Sequence, residues 1–225
     1  MNETSTPPAV DADTLAAALA RHGVQLPPEQ ALRLDRYCRA LWEWNEKLNL
    51  TRHTDYEKFV TRDLTDSREI APHLRQGEEV LDVGTGGGVP GVVLTILRPD
   101  LKVSLCDSVG KKVKAVREIL DALGLDVPVY QLRAEELLEE LRFDALVVRA
   151  VGPLAKLLTW FKPHWESMRR LLVIKGPKWQ EELALAKRQG LMRDLQVKPA
   201  AEYPLAGTDS KSVILKIWPK HRPER

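Results

Sequence analysis

The residues best suited to chemistry lie in the stretch Val80-Leu81-Asp82-Val83-Gly84-Thr85-Gly86-Gly87-Gly88-Val89-Pro90-Gly91. An apolar run ends in a carboxylate and enters a turn with five glycines within eight residues. Glycine reaches positive φ at little cost and lets a ligand approach the main chain. The next acidic residue at the end of a strand-like run is Asp107, 25 positions after Asp82. That spacing suits a second-strand carboxylate that meets ribose hydroxyls.

Two ligands compete for such a turn. Gly86 to Gly91 formally fits G-x-G-x-x-G, which alone is weak evidence for a dinucleotide. Asp82 converts the pattern to D-x-G-x-G-x-G. A carboxylate sits poorly beside a pyrophosphate but suits a cation, and S-adenosylmethionine carries both an ammonium and a sulfonium. This ligand is the favoured reading; a nicotinamide or flavin and a purely structural turn are the others. No G-x-x-x-x-G-K-[ST] occurs, so a P-loop is not supported.

The omissions narrow the chemistry. Val147-Val148-Arg149-Ala150-Val151-Gly152-Pro153 stands where exocyclic-amine methyltransferases carry an Asn/Asp-Pro-Pro-aromatic run. Carbon-5 pyrimidine methylation needs a nucleophilic cysteine. Cys38 falls in a helical run and Cys106 inside a strand-like run, where buried inert thiols are expected. No cluster has metal-ligand spacing, so no metal is expected. Guanine N7 needs none of this equipment. It has a lone pair and no proton, so catalysis reduces to aligning two centres. Its edge faces the deep groove of A-form RNA, so the base must be unpaired or splayed out.

These residues need elements to hold them. Residues 1–10 read as disordered. Asp11 or Asp13 is expected to cap a short helix ending at His22-Gly23, and Pro27-Pro28 to open a long helix reaching about Asn49. Its stripe Leu34, Tyr37, Leu41, Trp44, Leu48 is spaced for packing against a neighbour. A further helical stretch covers about Tyr56 to Leu74, so residues 11–77 form an N-terminal helical extension. From 78 to 218, strand-like runs at Glu79–Val83, Lys102–Cys106, Val127–Gln131, Phe143–Val148 and Arg170–Lys175 alternate with helical runs. That order predicts a parallel sheet covered on both faces. Leu191–Lys198 and Ser212–Trp218 should add an antiparallel edge joined by a Pro199–Ser210 loop. Residues 219–225 form a basic tail.

The chain has 225 residues, 44% apolar and 29% charged, with 34 Lys+Arg against 32 Asp+Glu. A net charge of +2 leaves any nucleic-acid site to local patches. Two distant cysteines exclude a disulfide scaffold or zinc ribbon, and no apolar run is long enough for a membrane span. A polar N-terminus without signal-peptide features points to the cytoplasm.

The chain resembles the bacterial 16S ribosomal RNA (guanine-N7) methyltransferase G family, also called glucose-inhibited division protein B. The resemblance runs from about Leu41 to Trp218. It rests on Trp44-Asn45-x-x-x-Asn49-Leu50-Thr51, Arg62-x-x-x-Asp66-Ser67, the glycine turn, Asp107-Ser108-x-x-Lys111-Lys112, Arg133-Ala134-Glu135, Arg149-Ala150 and Lys175-Gly176. It implies an α/β fold, a Rossmann-like class I S-adenosylmethionine-dependent methyltransferase. This has a mostly parallel seven-stranded sheet, an antiparallel edge and the helical extension. The implied reaction moves a methyl group to N7 of a guanine in 16S ribosomal RNA. The implied partner is that RNA or the small-subunit particle, with no membrane and a monomeric protein. Alternatives are another RNA, a small molecule, or a non-catalytic module.

Cofactor contacts implied are Gly84, Val89, Ala134, Glu135 and Arg149. The residues themselves add Gly86, Asp82 at the methionine end and Asp107 at the ribose. Arg149 is the positioning residue of catalysis, with no general base. At a pocket mouth it is expected to carry little packing. Expected RNA contacts are Arg62, Lys111, Lys112 and Lys175, with Arg52, Lys178, Lys216, Lys220, Arg222 and Arg225 as further candidates. Three departures from the family pattern stand out: Asp63 for a usual His, Lys112 for Arg, and Lys211 for Arg.

Overall fold

The computed structural model describes residues 14–223. Residues 1–10, Asp11, Asp13 and Arg225 lie outside the described residues.

Seven strands form one sheet in the order β3-β2-β1-β4-β5-β7-β6. They are β1 (Glu79–Val83), β2 (Lys102–Cys106), β3 (Val129–Tyr130), β4 (Phe143–Arg149), β5 (Met168–Lys175), β6 (Leu195–Pro204) and β7 (Lys211–Pro219). The first five are parallel, and β7 runs antiparallel to both β5 and β6. The helices are α1 (Leu15–Arg21), α2 (Pro28–Asn45), α3 (Tyr56–Lys58), α4 (Thr65–Ile70), α5 (Gly91–Leu97), α6 (Gly110–Leu123), α7 (Ala134–Glu140), α8 (Leu154–Phe161) and α9 (Trp179–Arg188). A π-helical turn, Phe59–Leu64, joins α3 to α4. Thr14 caps α1, its hydroxyl accepting from the Ala17 amide. Pro28 opens α2 at its first turn, where a missing N–H costs nothing.

Alternation along the strands sorts the core into two layers. Val80, Ala145, Val147, Leu172 and Ile174 point to one face, shared with α1 to α6. Leu81, Val83, Leu146, Val148, Leu171 and Val173 point to the other, shared with α7 to α9. The helical extension therefore has one core with the sheet. Leu34, Tyr37 and Leu41 of the expected stripe are fully buried there, and Trp44 packs at its edge.

Two boundaries differ from expectation. β3 shrinks to two residues at its end of the sheet. β6 is shifted to Leu195–Pro204, so the connection to β7 is only Leu205–Ser210. β6 pairs on one side alone, and its register shifts between Pro199 and Ala201. An edge strand with a bulge accommodates Pro199 and Pro204, which cannot donate to a ladder.

Candidate functional site

Strand order reverses between β1 and β4, and ligands of open α/β sheets sit in the crevice beyond the strand ends at such a point. Val83 pairs with Val148, which sets Gly84 beside Arg149 just past the sheet. Two clefts meet there. A pocket of about 550 Å³ is lined by Gly84, Cys106, Asp107, Leu132, Ala134, Glu135, Val151 and Trp160, among others. A larger cleft of about 920 Å³ is lined by Asn49 to His53, Arg62, Asp66, Gly84 to Gly87, Val89, Arg149 and Leu205, among others. Gly84, Lys112 and Ala150 line both.

The shape of the turn explains its glycines. Gly84 has φ +65, and a Cβ there would stand 2.7 Å from Val151 Cγ2. At Gly91 a Cβ would stand 2.2 Å from Leu105 Cδ2 and 2.7 Å from Asp82 Oδ2. α5 thus begins in direct contact with the Asp82 carboxylate, which only glycine permits. Ala150, at the junction, is in the left-handed region at φ 56. Strain of this kind costs about 1–3 kcal/mol and concentrates at functional sites.

Asp82 does not face a ligand. Period two puts it on the Val80 face, beneath α5. Its Oδ2 accepts from Thr85 Oγ1 at 2.6 Å and from the Gly91 amide at 2.9 Å. Burial pushes its carboxyl up to about 6, against the pull of those two donors. The expectation that it meets the methionine end is corrected: it staples the turn. Asp107 lines the smaller pocket, with Oδ2 accepting from Gly86 N at 3.0 Å and Oδ1 from Val109 N at 2.9 Å. Each oxygen keeps a second lone pair for a ligand. Ala134 and Glu135 open α7 on the same wall. Leu132, 41% exposed, adds an apolar surface the sequence did not single out. This pocket has the donor set for an adenosine: a carboxylate, an apolar flank and a glycine edge that admits main-chain contact. The Cys106 thiol also lines it, but burial pushes it up to about 12, which keeps it protonated.

Arg149 follows the Ala145–Val147 face and so points into the helical extension. Its Nη2 lies 2.6 Å from Asp63 Oδ1 and its Nη1 2.9 Å from Asp66 Oδ2. Burial works against its charge, and the two carboxylates overcome this and raise its pKa. The expectation of little packing is corrected, because Arg149 ties the sheet to the extension. Asp63 is fully buried, and Asp66 also accepts from the Tyr203 hydroxyl at 2.7 Å.

The loop Asn49–His53 is built by α2. Asn45 Oδ1 accepts from the amides of Leu50 and Thr51, at 2.8 and 2.9 Å. Tyr37 donates its hydroxyl to the Gly87 carbonyl at 2.8 Å, and Trp42 its indole N–H to the His53 carbonyl at 2.8 Å.

The expected RNA contacts separate. Arg52, Arg62 and Lys112 line the larger cleft, and Arg62 also donates to the Ala206 carbonyl at 3.1 Å. Lys111 is exposed on α6, and Lys178 is exposed just before α9. Lys175 is corrected. Period two turns it toward α9, where it is buried and bonds Glu182 at 2.7 Å and the Gly152 carbonyl at 2.6 Å. Lys216 and Arg222 line a different cavity, at the amino ends of the strands, and Lys220 donates to the Arg193 carbonyl nearby. These tail residues are therefore corrected as contacts on the cofactor side. His53, Asp66, Tyr203 and Leu132 were missed. The segment around His53 reads as a helix breaker, and only its position in space marks it.

The sheet order and the glycine turn at its switch point define a class I S-adenosylmethionine-dependent methyltransferase. Solved structures agree on the fold: MtNAS in complex with S-adenosylmethionine has a TM-score of 0.56 at 18% identity, covering 93% of this chain and 86% of that one. TrmK of M. capricolum with S-adenosylhomocysteine has 0.55 at 14%, covering 71% of each. The family model described as rRNA small subunit methyltransferase G matches residues 30–204. The ribosomal RNA small subunit methyltransferase G of Rhodopirellula baltica is 47% identical, over 95% of this chain and 99% of that protein. The protein of that name from Escherichia coli is 32% identical, over 90% and 96%. The chain belongs to the rRNA small subunit methyltransferase G family.

Proposed function

We propose that this chain methylates N7 of a guanine in the 16S ribosomal RNA of the small subunit, in the cytoplasm, with S-adenosylmethionine as methyl donor. The observation that carries this reading is the junction of two unlike clefts at Gly84, Lys112 and Ala150. One has the donor set of an adenosine pocket. The other is walled by Arg52, Arg62, Lys112 and Arg149, with Asp66 as its one carboxylate among the described lining residues.

In this reading Gly84, Gly86 and Val89 shape the main-chain edge beside the cofactor. Asp107 holds the ribose hydroxyls, while the Ala134 amide and the Glu135 side chain hold the adenine. Bound S-adenosylmethionine supplies a methyl group on a cationic sulfur. The protein's own task is to bind, orient and exclude water. Arg62 and Lys112 grip phosphates at the larger cleft. Arg149, braced by Asp63 and Asp66, positions the rim where the base arrives. No residue has to remove a proton from N7, and neither buried cysteine is placed to act as a nucleophile.

The test is methyl transfer to unmodified small-subunit RNA in which 7-deazaguanine replaces the target guanine. That base keeps the Watson–Crick edge but lacks the nucleophilic nitrogen. Binding should persist and methyl incorporation should vanish. Incorporation at the rate of the guanine RNA would overturn the N7 assignment.

A further inference from the structure

His53 is held more tightly than a loop residue needs to be. Its amide donates to Thr51 Oγ1 at 3.0 Å, and its carbonyl accepts from Trp42. The Trp42 ring stands edge-on to Tyr56, with centroids 4.8 Å apart. The His53 ring places Nδ1 2.8 Å from Asp63 Oδ1, the same oxygen that Arg149 approaches. Its side chain is 26% exposed and lines the larger cleft. Nε2 has no partner among the described residues.

The charges around the ring decide its form. Asp63 and Arg149 face it from the π-turn and the end of β4, with Asp55 on its own loop. Asp66, Arg52, Arg62 and Lys112 share the cleft. Arg149 already neutralises Asp63, so the carboxylate needs only an N–H from the imidazole. A neutral ring with its proton on Nδ1 satisfies that, and Nε2 is left as a lone-pair acceptor. Asp66, the carboxylate on the cleft, has Oδ2 engaged by Arg149 and Oδ1 by Tyr203.

We propose that His53, oriented by Asp63, positions the acceptor base by accepting a hydrogen bond at Nε2 from the N1–H and 2-amino edge of guanine. This rests on the functional reading above and deepens it. N7 and N1–H lie on opposite edges of guanine. A base that presents N7 at the shared junction turns its other edge to the part of the cleft wall that the smaller pocket does not share, and His53 belongs to that part. An acceptor there distinguishes guanine from adenine, whose N1 is itself an acceptor and would leave both groups unpaired. As N7 takes up the methyl group the ring gains positive charge, and N1–H becomes a stronger donor. The bond to His53 therefore tightens on the way to the transition state.

The experiment is single-turnover methyl transfer to unmodified small-subunit RNA from pH 5.5 to 8.5, with products mapped by mass spectrometry. It compares wild type, His53→Ala and His53→Gln, and 15N spectra of the free protein report the His53 tautomer. The wild type should show the Nδ1–H tautomer and an acid limb, because protonated Nε2 donates instead of accepting. His53→Ala should be at least tenfold slower at pH 7.5, with unchanged S-adenosylmethionine affinity, and should lose the limb. His53→Gln should regain part of the rate through its amide oxygen, without the limb. Asp82, which titrates near 6, is present in all three proteins, so a limb lost only in the His53 variants belongs to the imidazole. An unchanged limb or rate in His53→Ala, with N7-methylguanine as product, overturns the assignment of His53 alone. A wild-type product other than N7-methylguanine overturns both this proposal and the functional reading.

Discussion

The two ends of the sheet carry cavities of similar size and opposite meaning. At the carboxyl ends lies the pocket of about 550 Å³, opening to the larger cleft. At the amino ends a cavity of about 610 Å³ is lined by Glu79, Arg142, Asp144, Arg169, Arg170 and Arg222, among others. There the charges are matched. Arg169 pairs with Asp144 at 2.8 Å, Arg222 with Glu166, and buried Arg170 with Glu78. At the carboxyl ends the backbone itself is exposed by glycines, one residue is strained, and basic side chains outnumber acidic ones. Neither volume nor the number of charges makes a site. Accessible main chain and charge left for a ligand do.

The sharpest way to break this comparison is to remove the buried arginine at each end. Arg149→Ala and Arg170→Ala should each cost about 3–5 kcal/mol, because each strands a buried carboxylate. Both variants are measured by thermal melting and by single-turnover transfer at a temperature where each stays folded. Methyl transfer should collapse only in Arg149→Ala. Equal loss of turnover in the two would reduce Arg149 to a structural brace.

Next come the glycines. S-adenosylmethionine at 100 times its dissociation constant should stabilise the wild type by about 2.7 kcal/mol. Gly84→Val should abolish that shift, since its Cβ would meet Val151 at a positive φ. Gly77 precedes β1 at the other end with φ +76 and open space around its missing Cβ. Gly77→Ala should cost only about 1 kcal/mol of backbone strain and keep the cofactor shift. A full shift in Gly84→Val would remove the turn from the cofactor site.

The smallest effect sharpens the RNA assignment. Lys112→Ala should lower the slope of log affinity against log salt by about 0.7, one single-stranded phosphate contact. Lys220→Ala, at the far end, should leave the slope unchanged. Titration of RNA binding from low to moderate salt checks both, and equal slopes for the two variants would erase the distinction between the ends.

Much of this was legible in the chain itself, for reasons that can be named. β1 and β2 fall at Glu79–Val83 and Lys102–Cys106 as their apolar runs predict, because central strands buried on both faces leave an unbroken apolar signal. β6 was misplaced because an edge strand is defined by its partner. Its burial is patchy and it contains prolines, so neither alternation nor composition marks it. In the site, period two already separates the charged strand-end residues. Asp82 and Arg149 share the face of the helical extension, and Lys175 takes the other. Applied to polar as well as apolar positions, the same rule would have moved Asp82 and Lys175 out of the ligand contacts.

What the amino-acid sequence determined by itself is local or repeating. It specified the glycine turn, the order of strands and helices, and the absence of a cysteine nucleophile in a suitable place. These follow from backbone freedom, periodicity and side-chain chemistry within short windows. Tertiary structure decided which charges are consumed by partners and which face a cleft. Glu182 takes Lys175, Asp63 takes both Arg149 and His53, and Gly91 takes Asp82. Each pairing joins elements distant in the chain, and the worth of a charge is set by the dielectric and the partners around it rather than by its neighbours in sequence.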